Sequence, residues 1–474
     1  MHSLLWLGFR AFIISLVLTP IFRDVFRSYG VVDQPDAARK VHRYPIPRVG
    51  GLAIAISYLV AYVLVRPEGG SPLAQQLSLV WRLLPGAALA FAVGLLDDLF
   101  NLRAWIKLAG QIAAAGLACV GGVRVLSIGG TPTNAWWSIP LTILWLLACM
   151  NAFNLVDGLD GLAAGVGLFA TLTVFAAAMM QHNMVLAVAT FPLAGALLAF
   201  LCYNFNPATI FLGDSGSLLI GFLLGCYAAI WSNKSATLLG MTAPLMALSI
   251  PLLDVALAIV RRFLRRQPIF TADRGHIHHR LLDRGFTPRR VVLMLYGLCG
   301  LAAAFSLLQL VVHSFTGALL LLFGVFVLLG IQYLGYAEFD LAGRLLFSGE
   351  FQRSVSAQLE LRKFRAALAA AGTPAGCWEV IREACGKFGF QQVRLCLAGE
   401  IFEYSADDCG APGWTVRVPL SNGDYAVLAR PFASPVLPMV VAPFVDSLRE
   451  TLVEKFRDAA HEAEGSAAVS LAEQ

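Results

Sequence analysis

The chain has 474 residues, 58% hydrophobic and only 14% charged, where a soluble domain carries about 25% charged residues. Apolar runs of roughly 18 residues or more recur along it, which excludes a soluble protein with a large core. The net charge of +5 is too small to imply a nucleic-acid partner. The nine cysteines form no C-x-x-C pair and read as reduced, structural thiols.

From the N-terminus, the runs predict about eleven membrane spans, centred near Ile13, Ile56, Ala90, Ala114, Leu146, Leu168, Ala189, Gly221, Ala247, Leu301 and Leu322. Arg10 interrupts the first run and no small-residue cleavage site follows, so it reads as a retained span rather than a signal peptide. The runs are apolar on all sides, so helices rather than barrel strands must satisfy their backbones in lipid. The loop after the first span holds Arg23, Arg27, Arg39, Lys40, Arg43 and Arg48, and the loop after the ninth holds nine arginines between Arg261 and Arg290. Loops of the opposite parity hold only Arg66, Arg82, Arg124 and Lys234. The positive-inside rule then places the loops after odd-numbered spans, and the C-terminus, in the cytoplasm.

Every unusual polar cluster falls on a loop of that same parity. Asp97 and Asp98 close the third run in GLLDDLFNLRAWIK; adjacent carboxylates at a membrane edge repel unless a cation sits nearby. Lys107, about three helical turns on, can reach back toward a phosphate. NAFNLVDGLDG spaces Asn151, Asn154, Asp157 and Asp160 three apart, a drifting polar stripe on a helix whose oxygens and amides suit a metal-phosphate or a nucleotide. Asn204 sits at the same edge in LCYNFNPA. FLGDSGS puts Asp214 among small residues at a helix start, where open backbone N–H groups attract an anion and the carboxylate can hold Mg²⁺ against it. TADRGHIHHR gathers Arg274, His276, His278, His279 and Arg280. The spacing is not H-E-x-x-H and no cysteine is near, so crowded imidazoles and guanidiniums suit pyrophosphate better than zinc. RKVHRYPIPRVGG adds Lys40 and Arg48. Carboxylates for a divalent cation and cations for phosphates on one membrane face point to phosphoryl transfer.

GLLDDLFN, NAFNLVDGLDGLA, NFNPATIFLGDSGS and DRGHIHH resemble, in order and spacing, the motifs of the polyprenyl-phosphate N-acetylhexosamine-1-phosphate transferases, and the histidine motif looks like that of the GlcNAc-1-phosphate branch. The resemblance covers roughly residues 1–340. It implies transfer of GlcNAc-1-phosphate, or a related N-acetylhexosamine 1-phosphate, from a UDP-sugar to undecaprenyl phosphate with release of UMP. It further implies Mg²⁺ (with Mn²⁺ as a substitute), a multi-pass location in the bacterial inner membrane, a cytoplasmic active face, and a homodimer. By position it implies that Asp97 and Asp98 deprotonate the lipid phosphate or help hold the metal, and that Asp214, with Asp98, binds Mg²⁺. Asn154, Asp157 and Asp160 would lie around nucleotide and metal, Asn204 would line the nucleotide-sugar site, and His276, His278, His279, Arg274 and Lys107 would contact phosphates. Many members carry an acidic residue three positions after the second aspartate, where this chain has Asn101. A transporter with a regulatory domain is the competing class, but the charges sit at one edge and no internal repeat is visible.

Beyond about Leu345 the composition turns mixed and charged. Helical patterns over 351–371 and 377–388, strand patterns in QQVRLCLA, EIFEYS, WTVRVPL and DYAVLARP, and an amphipathic helix over 443–460 predict a cytoplasmic α+β domain at 346–460. It loosely resembles a small GAF-like sensor and reads as regulatory or dimerising. Residues 461–474 read as a disordered tail.

Overall fold

The computed structural model describes residues 2–33, 45–64, 72–125, 127–128, 131–132, 135–233, 242–264, 275–335, 350–406, 412–420, 423–432 and 441–472. The chain divides into two compact units, Met1–Tyr336 and Ala337–Gln474.

The first unit is helical: α1 (His2–Ser28), α2 (Gly50–Val63), α3 (Pro72–Phe100), α4 (Ala104–Val120), α5 (Ala135–Val156), α6 (Leu162–Met180), α7 (Met184–Asn204), α8 (Gly213–Asn233), α9 (Thr242–Ala247), α10 (Ser249–Leu264), α11 (Ile277–Asp283), α12 (Pro288–Val311) and α13 (Thr316–Leu334). A two-residue ladder of β1 (Ser127–Ile128) with β2 (Thr131–Pro132) precedes α5. Among the described residues, eight helices are long and apolar enough to cross a bilayer: α1, α3, α5, α6, α7, α8, α12 and α13. The protein is therefore a multi-pass membrane protein, with fewer full-length spans than the sequence pattern predicts. Two reasons account for the difference. α2 and α4 are apolar but have only 14 and 17 residues, about 21 and 26 Å at 1.5 Å per residue, short of a hydrocarbon core of about 30 Å. The run centred on Ala247 breaks at Leu248 into α9 and α10, and α10 carries Asp254, Arg261 and Arg262.

α8 lies at the centre. α3, α5 and α2 pack around it, and its Leu218, Phe222, Tyr227 and Trp231 are all buried. Gly94 lets α3 approach so closely that a Cβ there would meet the Asp214 carbonyl. Hydroxyls tie neighbouring helices across the apolar interior: Tyr58 and Tyr227 share a hydrogen bond of 2.6 Å, and Tyr62 donates to the Val188 carbonyl at 3.0 Å. Such bonds satisfy polar groups that lipid cannot. On the other side, α1 packs along α7, where Ser15 donates to the Ala196 carbonyl at 2.9 Å.

The second unit holds α14 (Glu350–Ala370), α15 (Pro374–Lys387), β3 (Gln392–Leu397), β4 (Glu400–Ser405), β5 (Gly413–Pro419), β6 (Tyr425–Pro431) and α16 (Val441–Ala472). The sheet is antiparallel in the order β4-β3-β6-β5, with Leu395 opposite Ala426 and Val416 opposite Leu428. Val393, Leu395 and Leu397 alternate inward, as a strand with one buried face requires. They meet Phe388, Phe390 and Phe444, whose rings lie within 5.4 Å of one another through Phe444. Thr373 caps α15 by accepting from the Gly376 N–H at 3.1 Å, with Pro374 next in the first turn. α16 continues to Ala472 through most of the stretch expected to be a disordered tail.

Candidate active site

The polar motifs converge where α3, α4, α5 and α8 end or begin. Lys107, in the first turn of α4, is the hub. Its Nζ donates to Asp97 at 2.9 Å, to the Asn154 Oδ1 at 3.2 Å, and to Asp214. Asn154, near the end of α5, returns its Nδ2 to the other Asp214 oxygen at 2.8 Å and to Ser217 at 3.1 Å. Asp97 also accepts from the Leu102 N–H at 2.7 Å, which closes the turn between α3 and α4. Asp98 accepts from the backbone N–H groups of Asp214 at 2.7 Å and Ser215 at 2.9 Å. It therefore caps α8, where the helix dipole favours a negative charge. Gly213 must be glycine: its φ is +73°, and a Cβ would meet the Asp98 carboxylate and the Arg48 carbonyl.

Around this hub the remaining motif residues take different places. Asn151 lies one turn deeper and donates to Gln111 at 2.9 Å. Asp160 ties two loops together, accepting from the Asn206 Nδ2 and the Ala208 N–H, both at 3.0 Å. Asn204 is buried and donates to the Ile210 carbonyl at 2.8 Å, so it holds the loop that leads to Asp214. Tyr296 of α12 donates to the Gly161 carbonyl at 2.6 Å and holds the other loop. Arg48 pairs with Asp33 at 3.0 Å and lies near enough to Asp157 to favour its ionised form. Burial, and then the charges of Asp214 and Asp98, nevertheless push the Asp157 carboxyl well above the usual carboxylate range.

The histidines form a second layer. His278 is buried against Gly158, in the middle of the Asn151–Gly161 motif, and its Nε2 has no hydrogen-bond partner among the described residues. Burial, with His279 beside it, lowers its pKa to about 4, so the imidazole is neutral near pH 7. His276 lies parallel to His278 with ring centroids 5.9 Å apart, and His279 lies 4.4 Å from His278. Arg280, on the same helix, donates to the Gly335 carbonyl at 2.8 Å, at the C-terminus of α13. Lys40 and Arg274 lie outside the described residues.

Among the described residues Asp97 and Asp214 meet the Lys107 ammonium, and Asp98, Asp157 and Asp160 lie on the adjoining loops and helix ends. Hard oxygen donors and an uncompensated negative charge fit Mg²⁺ or Mn²⁺. Among the described residues, no three acidic, histidine or cysteine side chains converge into a ready-made cage.

The sequence reading missed Gln111, Asp254 and Tyr296. Gln111 and Asp254 were detectable in principle, as lone polar residues in the apolar runs IKLAGQIAAAG and PLLDVALAIV. Tyr296 leaves no such trace, because its role depends on which loop α12 packs against.

The glycosyl transferase family 4 model matches residues 80–232, the stretch that carries Asp97 through Asp214. A probable undecaprenyl-phosphate N-acetylglucosaminyl 1-phosphate transferase of Bacillus subtilis (strain 168) is 37% identical over 328 residues, 67% of this chain and 88% of the relative. A decaprenyl-phosphate N-acetylglucosaminephosphotransferase of Mycobacterium tuberculosis (strain ATCC 25618 / H37Rv) is 35% identical over 339 residues, 64% of this chain and 81% of the relative. An undecaprenyl-phosphate alpha-N-acetylglucosaminyl 1-phosphate transferase of Escherichia coli (strain K12) is 30% identical over 305 residues, 60% and 78% of the two chains.

Proposed function

The chain belongs to glycosyl transferase family 4, among the polyprenyl-phosphate N-acetylglucosaminyl-1-phosphate transferases, and on that premise we propose that it transfers GlcNAc-1-phosphate from UDP-GlcNAc to undecaprenyl phosphate. The observation that carries this reading is the Lys107 hub, one cation joined to Asp97, Asn154 and Asp214 from four separate helices at one end of the bundle. A phosphate nucleophile and a diphosphate electrophile repel, and holding them together takes fixed positive charge in a water-poor site.

An oxygen of the lipid phosphate attacks the sugar-bearing phosphorus, the bond to the bridging oxygen breaks, and UMP leaves with that oxygen. Asp97, at the membrane edge beside Lys107, accepts the proton of the lipid phosphate. Lys107 neutralises the approaching anion, and the histidine layer binds the departing phosphate. Asp214 and Asp157 would hold Mg²⁺, with Asp98 close behind through the α8 N-terminus; the ion would supply Lewis-acid stabilisation of the diphosphate. Asp157 fits that place because an added cation would favour its ionised form against burial and the neighbouring charges of Asp214 and Asp98.

On this reading the active face looks into the cytoplasm of the bacterial inner membrane, and the product starts a cell-envelope polysaccharide of O-antigen, exopolysaccharide or teichoic type. The C-terminal unit is a regulatory or dimerising domain of GAF-like pattern. A transporter is disfavoured, because the ionisable groups gather at one end of the bundle rather than at mid-membrane in related halves.

The test is an assay in detergent with radiolabelled UDP-GlcNAc, undecaprenyl phosphate and Mg²⁺. Labelled lipid and UMP from the wild type, lost with EDTA, are the expected result. Product from another UDP-sugar alone would replace the donor, and no product from any UDP-sugar by folded protein would overturn the reading.

A further inference from the structure

Asp254 stands in an apolar stretch of α10, 2% exposed, and none of the four motifs contains it. An ionised carboxylate in such a place is costly unless its lone pairs are used. Both oxygens are used, on two adjacent residues. Oδ2 lies 2.9 Å from the His276 Nδ1, and Oδ1 accepts from the Ile277 N–H at 2.8 Å. The second bond anchors the start of α11, where His276 itself makes no side-chain cap. Serine, threonine or asparagine would serve a cap alone equally well. The first bond suits a carboxylate, an acceptor-only group when ionised, which would accept a hydrogen bond from a proton on Nδ1. The ring is thereby held in one orientation, parallel to His278, which lies against Gly158 of the Asp157–Asp160 loop. Nδ1 is turned toward α10, so Nε2 is the ring nitrogen left for a ligand.

We propose that Asp254 is a positioning residue for the transfer reaction: it fixes His276 through Nδ1 so that Nε2 is presented to the diphosphate of the nucleotide sugar. The inference rests on the transferase reading above. It adds a carboxylate–imidazole pair of the kind that orients histidine ligands elsewhere, where loss of the outer partner costs about 10–100-fold in activity or affinity.

The test combines a double-mutant cycle with a spectroscopic signature. Asp254→Asn keeps an acceptor for the Ile277 N–H but turns an amide toward Nδ1. Its kcat should fall about 10–100-fold, with the KM for UDP-GlcNAc changed less than about threefold. In a His276→Asn background the same change should have no further effect. Asp254→Glu, which restores a carboxylate, should recover part of the loss. Spectra of protein labelled with ¹⁵N-histidine in detergent should show one histidine protonated at Nδ1 in the wild type and not in Asp254→Asn. Losses that multiply in the double mutant, or a histidine spectrum unchanged by Asp254→Asn, would overturn the proposal. A wild type inactive with every UDP-sugar would instead sink the transferase reading and the presentation to diphosphate with it, while the spectrum still decides whether the pair exists. Should Asp254→Asn elute as aggregate, the Asp254→Glu spectrum and kcat decide: Nδ1 protonation with activity kept supports the pairing, and its loss with full activity refutes it.

Discussion

α8 and α13 are both long and apolar enough to cross a membrane, and they invert the rule that the most apolar element is the most buried. α13 is the more apolar, yet only 6% of its apolar window is buried, against 89% for α8. In lipid, a helix such as α13 can leave Leu321 and Leu328 exposed at no cost. α8 is surrounded by protein and begins with Gly-Asp-Ser-Gly-Ser, because polar groups in this unit survive only where other helices satisfy them. The second unit obeys the aqueous rule. Its core is Phe444, Leu395 and Leu428, while Arg382–Glu379 and Lys387–Glu383 pair on the surface. In the membrane unit, then, polarity rather than apolarity marks the centre and the chemistry.

The largest effect expected of that contrast lies at the start of α8. Asp214→Asn removes one of the two carboxylates that Lys107 bridges, and product formation in the detergent assay should fall by about 10³-fold while the protein elutes as the wild type does. Full activity would mean that the polar start of α8 is only a helix cap.

Next comes the neutral histidine layer. The His278 pKa is about 4 in the folded protein against about 6.5 unfolded. Because the folded value is the lower one, the unfolded chain binds more protons between the two. Stability is therefore complete above pH 6.5 and declines by about 3 kcal/mol as the pH falls to 4. Unfolding in detergent followed across that range should show the decline, and His278→Asn should flatten it.

Apolar truncations test the contrast directly. Leu223→Ala in α8, 1% exposed, opens a cavity and should destabilise by about 2 kcal/mol, less than in water because lipid solvates the unfolded side chain too. Leu321→Ala in α13, 72% exposed, should shift the same unfolding curve by less than about 0.5 kcal/mol. Equal shifts would show that α13 is covered in the folded protein.

Most of the candidate site was legible in the sequence because its residues break apolar runs. Asp97, Asn154 and Asp214 stand out where lipid tolerates no unpaired charge, and the parity of the basic loops put them on one face. The contacts each residue makes were not legible. The two oxygens of Asp98, expected beside Asp214 at a metal, accept from the N-terminus of α8. Arg280, expected at phosphate, donates to the end of α13. Asn204, expected to line the sugar site, donates within the loop before Asp214. Hydropathy also could not separate a full span from the 14 residues of α2, since composition carries no length beyond the run itself.

What the sequence determined by itself was the membrane class, the family and the set of polar residues that must find partners, because those follow from local chemistry read against one solvent. What the tertiary structure decided was which of them meet. Lys107 reaches Asp214 across 107 positions of chain, and Asp254 reaches His276 across 22. Such pairings depend on how helices pack, and no local pattern encodes the distance between two helix ends.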